Sequence, residues 1–207
     1  MRYLVFSVVL CILPGCASDY KLLKQISSVS VCHDVFQADG LSTAWYKAGV
    51  DVMGRYVSGL LLVKEMPDGS TRFVFTNEAG ITYFDFSYDS TGRFIKNHVI
   101  RQMDKKPVIT TLRKDFELWL GIPFRDKALT AWQQDDKIYN GVMQKKNTAF
   151  YVTNESCTTL HWLERGSERR RTVMLTLAGT SLASPDSVTF QHSNFDMRID
   201  LRKLERE

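Results

Sequence analysis

The strongest constraint on this chain is a series of short alternating segments between Tyr56 and Ile100, cut by turns of recognisable chemistry. From Thr43 onward the apolar pattern has a period of two. Tyr56 to Met66 reads as one long strand with Gly59 inside it. Met66-Pro67-Asp68-Gly69-Ser70 follows as a turn, because proline presets one backbone angle and glycine accepts a positive one. Arg72 to Thr76 is the return strand, and Asn77-Glu78-Ala79-Gly80 turns again. In Ile81 to Tyr88, Phe84, Phe86 and Tyr88 share one face, while Tyr83, Asp85 and Ser87 share the other. Asp89-Ser90-Thr91-Gly92 leads into a strand from Arg93 to Ile100. Strands joined by such short turns form an antiparallel meander.

A helical period interrupts this grammar once with full clarity. Pro107 stands where a missing N–H is harmless. Val108, Ile109, Leu112, Phe116, Trp119 and Leu120 then make one apolar stripe, with Arg113, Lys114 and Glu117 on other faces. Gly121 and Pro123 end it. A weaker helical turn is expected through Lys127 to Gln134. Near the start, Leu22, Ile26 and Val29 are helically spaced. Ser18 to Asp39, which also holds Leu23, Val35 and Phe36, therefore predicts an amphipathic helix broken near Ser27-Ser28 and stopped by Asp39-Gly40.

The last third returns to strands: Lys137 to Lys145, Ala149 to Asn154, Thr158 to Arg165, Arg170 to Leu177, Ser187 to His192 and Phe195 to Leu204. In the final one, Met197, Ile199 and Leu201 alternate with Arg198, Asp200 and Arg202. Arg165-Gly166-Ser167-Glu168 reads as a hairpin turn. The expected fold class is α+β: a strongly curved, incomplete antiparallel β-barrel of about nine to eleven strands, with helices capping its concave side. So many strands exceed one comfortable flat sheet, and the apolar helix faces need a surface to cover.

The N-terminal residues set the expected compartment. Arg2 precedes an apolar run from Tyr3 to Leu13, the layout of a secretory signal and too short for a spanning helix, which needs roughly 20 apolar residues. Leu13-Pro14-Gly15-Cys16 resembles the lipobox of bacterial lipoproteins. That resemblance implies cleavage after Gly15, acylation of Cys16, and one lipid-anchored domain from Cys16 to Glu207. Ala17 in place of an aspartate implies the outer membrane, facing the periplasm. An oxidising periplasm leaves two readings of Cys32 and Cys157, one disulfide or two buried thiols.

The order of elements from Ser18 to Glu207 resembles the fold of the lipoprotein-localisation carriers LolA and LolB. In that family a curved, incomplete barrel capped by helices holds acyl chains. Phe73-Val74-Phe75-Thr76-Asn77-Glu78-Ala79-Gly80 and Tyr83-Phe84-Asp85-Phe86 look like stretches of Bacteroidota lipoproteins. Asp89-Ser90-Thr91 and Asp186-Ser187-Val188 look like that phylum's O-glycosylation sequon. The resemblance implies an apolar hollow and matches no individual site residue; from the helix stripe and the strand faces, the residues expected to line the hollow are Leu112, Phe116 and Trp119, facing Phe73, Phe75, Phe84 and Phe86. The hollow would take a lipid or an acylated protein.

Other chemistry is not signalled. His33, His98, His161 and His192 have no metal-ligand spacing, and no nucleophile elbow, phosphate loop or dinucleotide fingerprint occurs. No metal, no cofactor and no enzymatic activity are expected. The net charge of +4 is spread along the chain and does not point to nucleic acid. Asp135-Asp136 reads as a loop, Asp85 as a solvated carboxylate, and Arg165 with Arg169-Arg170-Arg171 as a charged hairpin end. A monomer is expected. The alternative to a lipid carrier is an accessory lipoprotein with a filled core that docks on an outer-membrane complex.

Overall fold

A computed structural model describes residues 18–27, 31–32, 41–179 and 181–205. The elements in chain order are β1 Lys24–Gln25, β2 Ala44–Val52, β3 Arg55–Glu65, β4 Thr71–Thr76, β5 Thr82–Tyr88, β6 Phe94–Val99, the helix α1 Lys106–Trp119, β7 Thr130–Gln134, β8 Lys137–Val142, β9 Thr148–Asn154, β10 Leu160–Gly166, β11 Arg171–Ala178, β12 Ser187–His192 and β13 Met197–Lys203. All thirteen strands join one sheet in the order β1-β7-β8-β9-β10-β11-β12-β13-β2-β3-β4-β5-β6. Two antiparallel meanders, β2–β6 and β7–β13, meet along the seam where Met197 pairs with Val52 and Lys203 with Tyr46.

Curvature follows from what touches α1. Tyr88 of β5 donates its hydroxyl to the carbonyl of Arg113, 2.8 Å away. Arg165 of β10 reaches the carbonyl of the next residue, Lys114, at 3.3 Å. β5 and β10 are seven places apart in the sheet. On a flat sheet that is about 34 Å at ~4.8 Å per strand, whereas a helix with its side chains is only ~10–12 Å across. The sheet must therefore wrap the helix. Among the described residues no pairing joins the edge strands β1 and β6, so the sheet they form is unclosed.

The concave core is aromatic. Phe73 stacks on Phe116 with ring centroids 4.3 Å apart, and Trp119 packs edge-on to Tyr46 at 5.7 Å. Phe190 of β12 meets both helix aromatics. Gly59 lets β3 bend over β4, since a Cβ there would sit 2.1 Å from the Thr76 carbonyl oxygen. α1 starts after extended Lys105 with Pro107 in its first turn, and it ends at Gly121, whose φ of 66° is left-handed. On the convex side of β7–β10 a second cluster forms, where Tyr20 covers Phe150 and Val152 with Leu23, Trp132, Tyr139 and Trp162 around them.

Three expectations need correction. The described part of Ser18 to Asp39 is a turn followed by β1, not a helix, and Val29, Val35 and Phe36 lie outside the described residues. Lys24 and Gln25 pair with Gln133 and Trp132, because the edge of β7 offers a ladder that a short helix cannot match. Thr130–Gln134, in the expected second helical turn, is strand β7, with Trp132 opposite Tyr139 and packed on Phe150. These two strands account for thirteen rather than nine to eleven. α1 is the one α-helix among the described residues, so the fold is mostly β, with one helix rather than several on the concave side.

Cys32 and Cys157 are bonded, closing a separation of 125 residues. Asn140 Oδ1 accepts the Cys32 N–H at 2.8 Å, so the bridge fastens residues 31–32 to β8 and to the β9–β10 turn. Replacing both cysteines with serine should lower unfolding free energy by about 2–5 kcal/mol in chemical denaturation. An unchanged midpoint would show that the cross-link contributes nothing.

Candidate functional site

α1 enters the hollow at one rim of the sheet and runs toward the other. Its second half is buried all round from Asp115 to Leu120, whereas Val108, Ile109 and Thr111 in its first half are only partly covered. Large aromatics fill the space beneath the second half. Beneath the first half the sheet offers shorter side chains, namely Ala48, Val50 and Val52 of β2, Val57 and Leu61 of β3, and Met197 and Ile199 of β13. Alternation places all of these on the concave face.

The result is a cavity of about 620 Å³, in the middle of the roughly 300–1,000 Å³ range of small-molecule pockets. Among the described residues its polar lining is Gln102, Thr111 and Asn194, and none of the lining residues is charged. Exposed Met53, Gln102, Pro107 and Asn194 mark where it opens. Such a site offers an apolar ligand a transfer gain of about 25 cal/mol per Å² with little directional selectivity.

Of the seven residues named from the sequence, Phe75, Phe84, Leu112 and Phe116 stand in the cavity wall. Phe73, Phe86 and Trp119 do not, because they are packed solid in the core. The dividing line is one step along each strand: β4 runs toward the open rim and β5 away from it, so Phe75 and Phe84 lie nearer the mouth. The wall residues of β2, β3 and β13 were not among the seven, nor were Met103, which comes from a connection, and Phe195, which stands before β13 rather than inside the strand expected from Phe195 to Leu204. Cys16 lies outside the described residues.

Buried charge lies behind the cavity rather than in its wall. Asp115 of α1 meets His192 of β12 at 3.0 Å, both nearly free of solvent. Burial pushes the Asp115 carboxyl above its ordinary value, although the hydrogen bond and charge of His192 pull it part of the way back. Glu117 is bridged by Arg113 at 2.7 Å and by Arg165 at 3.0 Å. Neither pair lines the cavity, so no titratable couple faces a bound molecule. Asp85 is not a solvated carboxylate. It is buried on the convex face, paired with Arg72 and held by Asn97 at 3.1 Å. Burial pulls it upward, but those partners outweigh burial and hold it below its ordinary value.

Among the described residues no group of three or more His, Cys, Asp or Glu could hold a metal ion, and no helix is long and apolar enough to cross a membrane. No protein-family model matches the chain, and no curated protein matches it. Among solved structures, a DUF1329 family protein from Desulfovibrio piger is similar at 6% identity and a TM-score of 0.45, over 86% of this chain and 90% of that one.

The Asp115 shift makes a signed prediction. A carboxyl raised in the folded state binds its proton more tightly there than in the unfolded chain. Its contribution is full below the ordinary value of 3.8 and is lost as pH rises through the raised one. Asp115→Asn should therefore gain stability over the parent as pH climbs from acid to neutral, read as melting temperature across a pH series. Parallel curves for the two proteins would contradict it.

Proposed function

We propose that this chain is a membrane-anchored lipoprotein that shelters a lipid, or the acyl chain of an acylated protein, in the hollow between α1 and the curved sheet. The observation that carries this reading is the uncharged apolar cavity of about 620 Å³ that opens at one rim. About ten methylenes moved from water into it are worth about 8 kcal/mol at ~0.8 kcal/mol each, comparable to a micromolar Kd before ordering costs.

The lipobox at Leu13 to Cys16 supports an acyl anchor on Cys16 and a place in the bacterial cell envelope, on the periplasmic side of the outer membrane. The Cys32–Cys157 bond suits an oxidising compartment. The likeness of element order to the LolA and LolB carriers supports the same use of the hollow. The role needs no cofactor and no catalytic group, and the protein acts as a monomer. The accessory reading, a filled core that docks elsewhere, is disfavoured by the space left beneath the first half of α1.

Thr111 projects from α1 into the cavity, where an indole would take the space of a ligand. Wild-type protein should bind a fluorescent fatty acid saturably, and Thr111→Trp should bind it at least roughly tenfold more weakly, a loss of about 1.4 kcal/mol, with little change in melting temperature. Absence of saturable binding by the wild type, or equal affinity in the folded variant, would overturn the proposal.

A further inference from the structure

The strand registers sort the turns onto two rims with opposite character. Met197 pairs with Val52, His192 with Val173, and Gly166 with both Arg171 and Thr148. These pairings put the turns 53–54, 193–196, 167–170 and 143–147 at one end of the sheet. The turns 77–81 and 100–105 join them there, since Val99 pairs with Phe84. The cavity opens among these turns, through Met53, Gln102 and Asn194.

This rim carries Arg101, Lys105, Lys145, Lys146, Arg169 and Arg170, and none of them forms an ion pair among the described residues. Its acids are Asp19, Asp51, Glu78, Glu168, Asp196 and Asp104, the last held by Lys96 at 2.9 Å, and Arg55 at the start of β3 adds a further cation. The other two arginines of the basic run are used internally, Arg165 on Glu117 and Arg171 on Glu164. The opposite rim's hairpin turns carry Asp68, Asp89, Asp135, Asp136, Glu155 and Asp186 against Arg93, which is itself paired with Asp89. Large exposed apolar side chains share the basic rim: Met53 is 76%, Tyr56 71% and Ile81 56% exposed.

The N-terminal segment is fastened to the same rim. The Asp19 N–H donates to the Arg169 carbonyl at 2.9 Å, and its carboxylate accepts the Arg171 N–H at 2.8 Å. Tyr20 is then buried against Phe150. Residue 16, the expected acylation site, lies three residues before Asp19.

We propose that the basic rim rests on an anionic lipid surface, so that the mouth of the cavity faces the bilayer holding the anchor. Unpaired cations at the rim are drawn to anionic headgroups, and the exposed Met53, Tyr56 and Ile81 meet the interface between them. The acidic rim points away. The proposal rests on membrane anchoring at Cys16 but not on occupation of the cavity.

The test is hydrogen–deuterium exchange on the full chain purified from membranes. It is placed in vesicles of phosphatidylcholine alone or of phosphatidylcholine with phosphatidylglycerol. Amides of 100–105, 143–147 and 167–170 should exchange more slowly on the anionic vesicles only, by roughly fivefold, the effect of about one lysine–surface contact. High salt should remove that protection, because the attraction is screened. A K145E/K146E/R169E/R170E variant should lose it while β9 exchanges as in the wild type. Equal exchange on the two vesicles, or protection of the turns at 66–70 and 135–136, overturns the proposal. Thr111→Trp should keep the rim protection, so failure of ligand binding and failure of this surface are read separately.

Discussion

Tyr88 and Arg165, from strands seven places apart, close on adjacent carbonyls of α1. The rest of the architecture depends on that convergence. A sheet bent this far has a deep concave face, and α1 must supply enough apolar surface to fill it. It does so unevenly. Phe116 and Trp119 reach Phe73, Phe190 and Tyr46, whereas Val108 and Thr111 look across at valines, an alanine and methionines that stop short. The cavity is the geometric remainder of large residues at one end of the helix and smaller ones at the other.

Polar groups at the filled end show how firmly the helix is fixed. Asp115 and Glu117 lie on the buried half of α1, where an unpaired carboxylate would be costly. Each has a partner brought from the second meander, His192 and Arg165. Leucines in their place would pack against the sheet in several registers, but these two contacts define one. Among the described residues the first half of the helix has no such charged partner, and this is the half beside the mouth. Rigidity and opening are therefore divided along a single element of fourteen residues.

Much of this was legible in local chemistry. The turns at 66–70, 77–81 and 89–93 form where Gly, Pro, Asn and Asp specify them, with Asp68, Asn77 and Asp89 bonding nearby backbone N–H groups. The stripe of α1 and its Gly121 stop are equally local. Lys24–Gln25 and Thr130–Gln134 were misread because short segments with apolar residues three or four apart fit either period. Their state is decided by a sheet edge formed more than a hundred residues away for β1. Phe73 and Phe75 occupy equivalent positions of one alternating strand, yet one is core and the other cavity wall. Only the depth to which α1 fills the hollow separates them, and no spacing in the sequence encodes it. Likewise the partner of Asp85 lies on β4, so its burial is a property of the pairing rather than of Tyr83-Phe84-Asp85-Phe86 itself.

The placement of charge argues against reading the hollow as a vestige of imperfect packing. A void left by chance would be expected anywhere under the helix, and its closure would need only larger side chains at Ala48 or Thr111. Here it lies under the loosely held half of α1. It opens at the rim where unpaired cations and exposed Met53 and Tyr56 gather, and the N-terminal segment is tied to that rim through Asp19. The buried carboxylates of α1, which would repel an acyl chain or draw in water, are confined to its far half, and buried Asp85 and Glu164 lie outside the cavity wall. Apolar space, an uncharged wall, an open mouth and a basic edge thus occupy one end of the molecule. This is the arrangement that the proposed sheltering of an acyl chain would require, were the ligand exchanged with a bilayer at that rim.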